Sequence, residues 1–424
     1  MTPQIDHRQH HAAPGQTSLG IFANTVHTKH NQLVGKRKLA TDEAITATRR
    51  IRYQLQRAAQ GLLPQERVKH CQRSITGGAG VKVFRSSEGP SFGNLSTCGS
   101  VWHCPVCAAK ITEGRRQDLQ LAINTWAKQG GEVYLMSLTF PHQINQALAD
   151  NLAKFADALK KFKNSRIYKK TMEQAGSAGS IRALEVTHGG NGWHPHTHDL
   201  VFAQPGQLEL LELLQRAWID TLIKVGIADR SQVNDMMQAA FDVRNGDYAA
   251  EYVAKFGFEP AEKSRDLTGE HWGAANELTK AHAKIGKRLG GRTPFTLLGN
   301  YVAGDHEAGA LFQEFSMHFK GKRQLFWSPK LRKALNIADL TDQEIADAAL
   351  PERELVATLD TDNWKLVISR NARFEVLQTA QEFGAEGVRR LIEELAGRRQ
   401  THSDVVYREE MMGHKYQLPT WVMQ

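Results

Sequence analysis

Ile181-Arg182-Ala183-Leu184-Glu185-Val186-Thr187-His188-Gly189-Gly190-Asn191-Gly192-Trp193-His194-Pro195-His196-Thr197-His198-Asp199-Leu200-Val201-Phe202 decides the fold. Ile181 to Thr187 and His196 to Phe202 read as strands, and Gly189 to Gly192 reads as the turn between them. Two strands joined so tightly must run antiparallel. Upstream, Val133 to Phe140 reads as a buried strand ended by Pro141. A helix is expected over about 145–170, another over Leu208 to Val225, a strand over Met237 to Val243, and a short helix from about Gly246 to Phe256. The pattern is α+β: an antiparallel sheet with helices on one face.

The hairpin also carries chemistry. In a strand, residues i and i+2 project from one face. His196 and His198 can therefore present two imidazoles to one ion, with His194 beside the turn as an accessory. If Gly189 pairs with Gly192, Glu185 falls opposite His196 on the same face. Two imidazoles and a carboxylate, with open positions left, suit a catalytic Mg²⁺ or Mn²⁺. A closed structural zinc site would want a fourth protein ligand.

Tyr248-Ala249-Ala250-Glu251-Tyr252-Val253-Ala254-Lys255-Phe256 reads as a helix. Tyr248 and Tyr252 stand four residues apart and share a face, with Lys255 nearby. A phenol titrates near 10, so a cation or a lysine must favour its anion before it can attack. Both tyrosines are candidate nucleophiles on that ground.

All four cysteines, Cys71, Cys98, Cys104 and Cys107, fall within residues 66–110 among glycines and serines. That segment reads as a small metal-held module rather than a packed core. Four thiolates close a tetrahedral Zn²⁺ site; His70 and His103 are possible substitutes. No apolar signal core marks the N-terminus, and no run of about 18 apolar residues spans a membrane. A reducing cytoplasm is therefore expected, where cysteines bind metal before they form disulfides. Lys plus Arg number 54 against 45 Asp plus Glu, so a polyanionic partner is favoured.

The strand Leu135 to Phe140, the hairpin Glu185 to His198 and the segment with Tyr252 and Lys255 resemble the three motifs of HUH endonucleases. More narrowly, they resemble the rolling-circle replication initiators of small plasmids, as do Cys98 to Cys107 and Gly321 to Ser328. The resemblance covers roughly residues 66–335. It implies metal ligation by His196 and His198 and attack by Tyr252 on origin DNA, held as a single strand or a hairpin. A 5′-phosphotyrosine and a free 3′-OH result, with a host helicase and polymerase as partners. Some family members carry a glutamate four residues before the tyrosine. Tyr248 stands there in this chain, which resembles a two-tyrosine arrangement instead.

The expected organisation is an arm and helix over 1–65, a zinc module over 66–115, a nicking domain over 116–335 and a helical region over 336–424. That last region is read as DNA-binding or assembly. A transposase or relaxase would share the chemistry. A DNA-binding regulator would need the cysteines but not Tyr252, and a hydrolase of small substrates would use the histidines without a covalent intermediate.

Overall fold

The computed structural model describes residues 42–246, 291–348 and 353–397. In chain order, α1 (Asp42–Leu62) leads to β1 (Val81–Arg85), β2 (Ser91–Gly93), α2 (Pro105–Lys128) and β3 (Glu132–Leu138). α3 (Leu148–Asn164) and α4 (Arg166–Gln174) precede β4 (Gly179–Gly189) and β5 (Gly192–Ala203). α5 (Leu208–Glu212), α6 (Leu214–Lys224), α7 (Val233–Ala239) and β6 (Phe241–Asn245) follow. Beyond residue 290 come α8 (Pro294–Val302), α9 (His306–Phe319), β7 (Leu325–Trp327), α10 (Leu331–Ala334) and α11 (Asp342–Asp347). β8 (Glu354–Leu359), α12 (Thr361–Ser369) and α13 (Arg373–Gly397) complete the described chain.

Five strands form an antiparallel sheet in the order β6-β3-β5-β4-β7. The hairpin β4–β5 lies at its centre, with Gly189 paired to Gly192 and Glu185 to His196. Gly192 has φ +82°, and a Cβ there would meet the Ile144 backbone at 2.9 Å. Only glycine suits that combination of turn geometry and close approach. Trp193, next in the chain, ties the hairpin tip down. Its indole donates to Glu314 Oε2 at 2.8 Å, and its carbonyl accepts from Asn151 at 3.1 Å.

The sheet is covered on both faces, where the sequence pattern suggests one. Along β3, Tyr134, Met136 and Leu138 pack with Phe155 and Phe162 of α3 and Trp218 of α6. Val133, on the other face, packs with Leu200 and Phe202 of β5 and with Leu119 and Ala122 of α2. A strand apolar on both sides needs a partner on both sides, and β3 and β5 are such strands.

Two further boundaries differ from the sequence reading. The single helix expected over 145–170 is two helices, because Ser165 is extended and caps α4 by accepting from the Tyr168 amide. The strand expected over Met237 to Val243 begins only at Phe241, because Val233 to Ala239 is helical. A short apolar run of this kind does not separate helix from strand by periodicity alone. The cap at Asp229, which forms a capping box with Gln232, starts the helical segment.

The N-terminal and C-terminal parts meet in a second sheet, ordered β2-β1-β8. β8 pairs with β1 from Val81–Leu359 to Arg85–Glu354. Tyr53 of α1, Val81 and Val83 of β1, Trp364 of α12 and Phe374 and Leu377 of α13 share one buried cluster. The region after 336 therefore supplies a strand to the module that the sequence reading places at 66–115. It is not a purely helical appendage. The module is also a packed core. The four cysteines lie in a cluster with Leu55 of α1 and Phe312, Phe315 and Phe319 of α9.

Candidate metal centres

β4 and β5 bring Glu185, His196 and His198 together. Their ligand atoms all lie within 4.8 Å of one another. Glu185 Oε2 is 3.2 Å from His196 Nε2, and Oε1 is 3.7 Å from His198 Nε2. His196 Nδ1 lies 3.1 Å from the His194 carbonyl. A carbonyl only accepts, so that nitrogen carries the proton and Nε2 offers its lone pair. His198 Nδ1 meets Ser137 Oγ at 2.8 Å. Neutral imidazoles facing a carboxylate with lone pairs repel it unless a cation or proton lies between. The donor set thus fits a divalent ion.

The electrostatics agree. Burial pushes His198 down to about 4, only partly opposed by Glu185, so the ring is neutral at physiological pH. Burial works against the charge on Glu185, but His198 and His196 outweigh it and hold the carboxyl below its ordinary value. Burial likewise lowers His196, but the carboxylate of Glu185, accepting from a protonated Nε2, more than reverses it, so that with no ion bound a proton takes the cation's place between the two. Glu185 keeps 26% of its side-chain exposure and His196 16%, so the group opens to solvent on one side.

His194 is not brought into the group. Its Nε2 bonds Thr139 Oγ1, and its ring stacks on His142 at 4.5 Å with planes 7° apart. Burial, then the neighbouring histidines, push it well below its ordinary value. Ser137, Thr139 and His142 are neighbours that sequence reasoning missed. The available signal is the pair of polar residues at alternate positions in the apolar run Val133 to Phe140. Asp242, opposite Ser137 on β6, stands in the same cross-sheet row and pairs with Arg244 at 2.7 Å. Tyr248, Tyr252 and Lys255 lie outside the described residues, as do residues 1–41.

The four cysteines form the second group, all buried and all within 4.8 Å. Cys71–Cys107, Cys98–Cys107 and Cys104–Cys71 sulfur distances are 3.5, 3.6 and 3.7 Å. Four sulfurs ~2.3 Å from a tetrahedral ion would stand ~3.8 Å apart. Disulfide bonding needs about 2 Å, so the spacing fits a shared metal. Burial raises the Cys104 thiol, while hydrogen bonds from neighbouring thiols hold Cys107 down. Gln56 Nε2 donates to Cys104 Sγ at 3.2 Å, and Arg373 in turn donates to Gln56 Oε1 at 2.6 Å. His103 turns away to the Ser316 carbonyl and His70 is exposed, so neither histidine replaces a cysteine.

The Rep_1 replication protein family matches residues 93–369. The chain belongs to this family. Its similarity to the protein "rep" of Streptomyces lividans is 26% identity, covering 72% of this chain and 79% of that protein. It is also 31% identical to a neomycin resistance protein of Streptomyces cyanogenus, over 29% of this chain and 34% of that one. The chain thus spans about a third of that second relative's length. No solved structure matches. The resemblance to plasmid replication initiators holds at the level of family. No helix among the described residues is long and apolar enough to cross a membrane.

Proposed function

We propose that this replication protein starts rolling-circle copying of a plasmid by nicking one strand of its origin. The observation that carries the reading is the convergence of Glu185, His196 and His198 from adjacent strands on one face of the sheet. A divalent ion held there, Mg²⁺ or Mn²⁺, would supply Lewis-acid polarisation of a scissile phosphate. Glu185 lowers the charge at the group, and His194 and Ser137 fix the two rings.

Tyr252 is the nucleophile in this reading. Its phenolic oxygen bonds to phosphorus as it gives up its proton, and the bond from phosphorus to the 3′ oxygen breaks. That oxygen takes up a proton and leaves as a free 3′-OH, while the 5′ phosphate stays on the tyrosine. Lys255 stabilises the phenolate or the phosphate, and Tyr248 takes a second strand-transfer step. The 3′-OH serves a host polymerase, with a host helicase opening the duplex. The four cysteines hold Zn²⁺ in a structural role, supported by sulfur spacings of 3.5 to 3.7 Å.

The test uses labelled single-stranded origin DNA and Mn²⁺. A covalent adduct is expected from the unaltered protein, and none from Tyr252→Phe or from His196→Ala/His198→Ala. An unaltered protein that binds the DNA but never forms the adduct would overturn the reading in favour of a regulator. Metal analysis of the purified protein checks the cysteines, and absence of zinc would remove that part.

A further inference from the structure

The corner between α3 and α4 concentrates charge. Lys160, Lys161, Lys163, Arg166, Lys169 and Lys170 fall within eleven residues that contain no aspartate or glutamate. Two of the six are engaged: Lys161 with Asp157 at 2.8 Å and Lys163 with Asp199 at 2.7 Å. The other four are exposed and have no ion-pair partner among the described residues. Like charges this dense repel, so without a counter-charge the corner weakens its own helices. Elsewhere the surface behaves differently: Arg389 and Arg390 of α13 both pair with Glu386.

The arrangement has a direction. Arg166, Lys169 and Lys170 are spaced i, i+3 and i+4, so they share one face of α4. The opposite face, with Thr171 buried and Tyr168 and Met172 packed on the core, holds the helix to the sheet. Ile167, 57% exposed, stands among the cations. Lys163 reaches Asp199, whose side chain leaves β5 on the face opposite His198. The corner therefore lies behind the sheet from the Glu185–His196–His198 group.

We propose that the α3–α4 corner grips the phosphate backbone of double-stranded DNA. The inference rests on the nicking function proposed above and assigns the duplex beside the cut to this surface. Unpaired cations on two fixed helices match a rigid row of phosphates, and their counterions are released on contact. A single strand is held largely by bases stacked on aromatic rings. The corner offers none: Tyr168 and Phe162 are edge-packed on each other at 5.0 Å. Positioning a duplex here leaves the solvent-open side of the Glu185–His196–His198 group to the strand to be cut.

The experiment is a salt titration with a short mixed-sequence duplex and the full chain. Affinity is read by fluorescence anisotropy for the unaltered protein and for Lys160→Gln/Arg166→Gln/Lys169→Gln/Lys170→Gln. All four changes are at exposed positions, and melting by circular dichroism checks that the fold survives. The variant is expected to bind the duplex about tenfold or more weakly, with a log–log salt slope shallower by about three to four. Its Mn²⁺-dependent adduct with single-stranded origin DNA is expected to be unchanged. Unaltered duplex affinity and slope overturn the proposal, including the case in which the variant instead loses an acidic protein partner. A weakened duplex with no adduct from either protein supports the corner and sinks the nicking function separately.

Discussion

Ser137 Oγ stands 2.8 Å from His198 Nδ1, on the far side of that ring from Glu185. A histidine that offers Nε2 to a cation needs its other nitrogen held by a partner, and losing that partner typically costs about 10- to 100-fold in metal affinity. Ser137→Ala is therefore expected to weaken Mn²⁺ binding about tenfold in calorimetric titration; equal affinity would mean that the ring is oriented without the serine. His188 supplies a second prediction. Burial, then the Arg292 charge, push its imidazole down to about 4, and Arg292 lies 3.3 Å from its Nδ1. An unfolded imidazole titrates at about 6.5. The folded value is depressed, so the stability from the neutral ring is complete above that pH and is lost as pH falls toward about 4. His188→Gln keeps an acceptor for Arg292, and its urea midpoint should fall less steeply than that of the unaltered chain between these two values. Parallel curves would dismiss His188 as a titrating group. The Glu185–His196 pairing was legible in the sequence because a hairpin turn fixes register locally. Ser137 and His142 were not, because β3 meets β5 across some sixty residues and no local pattern specifies which strands become neighbours.

The same limit governs the elements. The spacing Cys104-Pro105-Val106-Cys107 pointed to a candidate metal site, and Cys104 does cap α2 while Pro105 opens it. Nothing in the spacing announced that α13 reaches into that site. Arg373, at the start of α13, is 3% exposed and donates to Gln56 Oε1 at 2.6 Å and to the Gln72 carbonyl at 3.2 Å. Its guanidinium also lies over the Tyr53 ring at 5.0 Å. Burial lowers its pKa to about 10, yet it remains a cation, one bond removed from four sulfurs that would carry negative charge around zinc. Arg373→Met keeps most of the volume but leaves two buried acceptors without donors, each worth about 1–3 kcal/mol. Unfolding in urea should show a loss of roughly 2–6 kcal/mol. Arg373→Lys should recover only part of it, since an ammonium cannot reproduce the planar fork. A Met variant as stable as the parent would show that α13 does not brace the cysteines.

Across the whole molecule, the order of the chain and the order of the structure disagree. Residues 66–115 and 336–424 read as separate regions, but β1 and β8 are neighbours in one sheet, and α1, α12 and α13 close over it. Truncation after residue 348 tests what this closure is worth. The cut removes Val356, Leu359, Trp364, Val367, Phe374 and Leu377, all buried against Tyr53, Val81 and Val83. At about 1.5–3 kcal/mol for each large apolar side chain, the loss is on the order of ten kcal/mol. A domain's net stability is only about 5–15 kcal/mol. The cut also strips β1 of a ladder partner and leaves Gln56 without Arg373. The cysteine cluster shares a core with α9, and α9 holds the hairpin tip through Glu314 and Trp193. Damage at the termini is therefore transmitted toward the Glu185–His196–His198 group rather than confined to a tail. The truncated chain is expected to purify with less than stoichiometric zinc, to melt at a lower temperature and to bind Mn²⁺ more weakly than the full chain. If it instead keeps its zinc, its melting temperature and its Mn²⁺ affinity, residues 349–424 form an independent unit and the β1–β8 pairing contributes little to holding the centres in place.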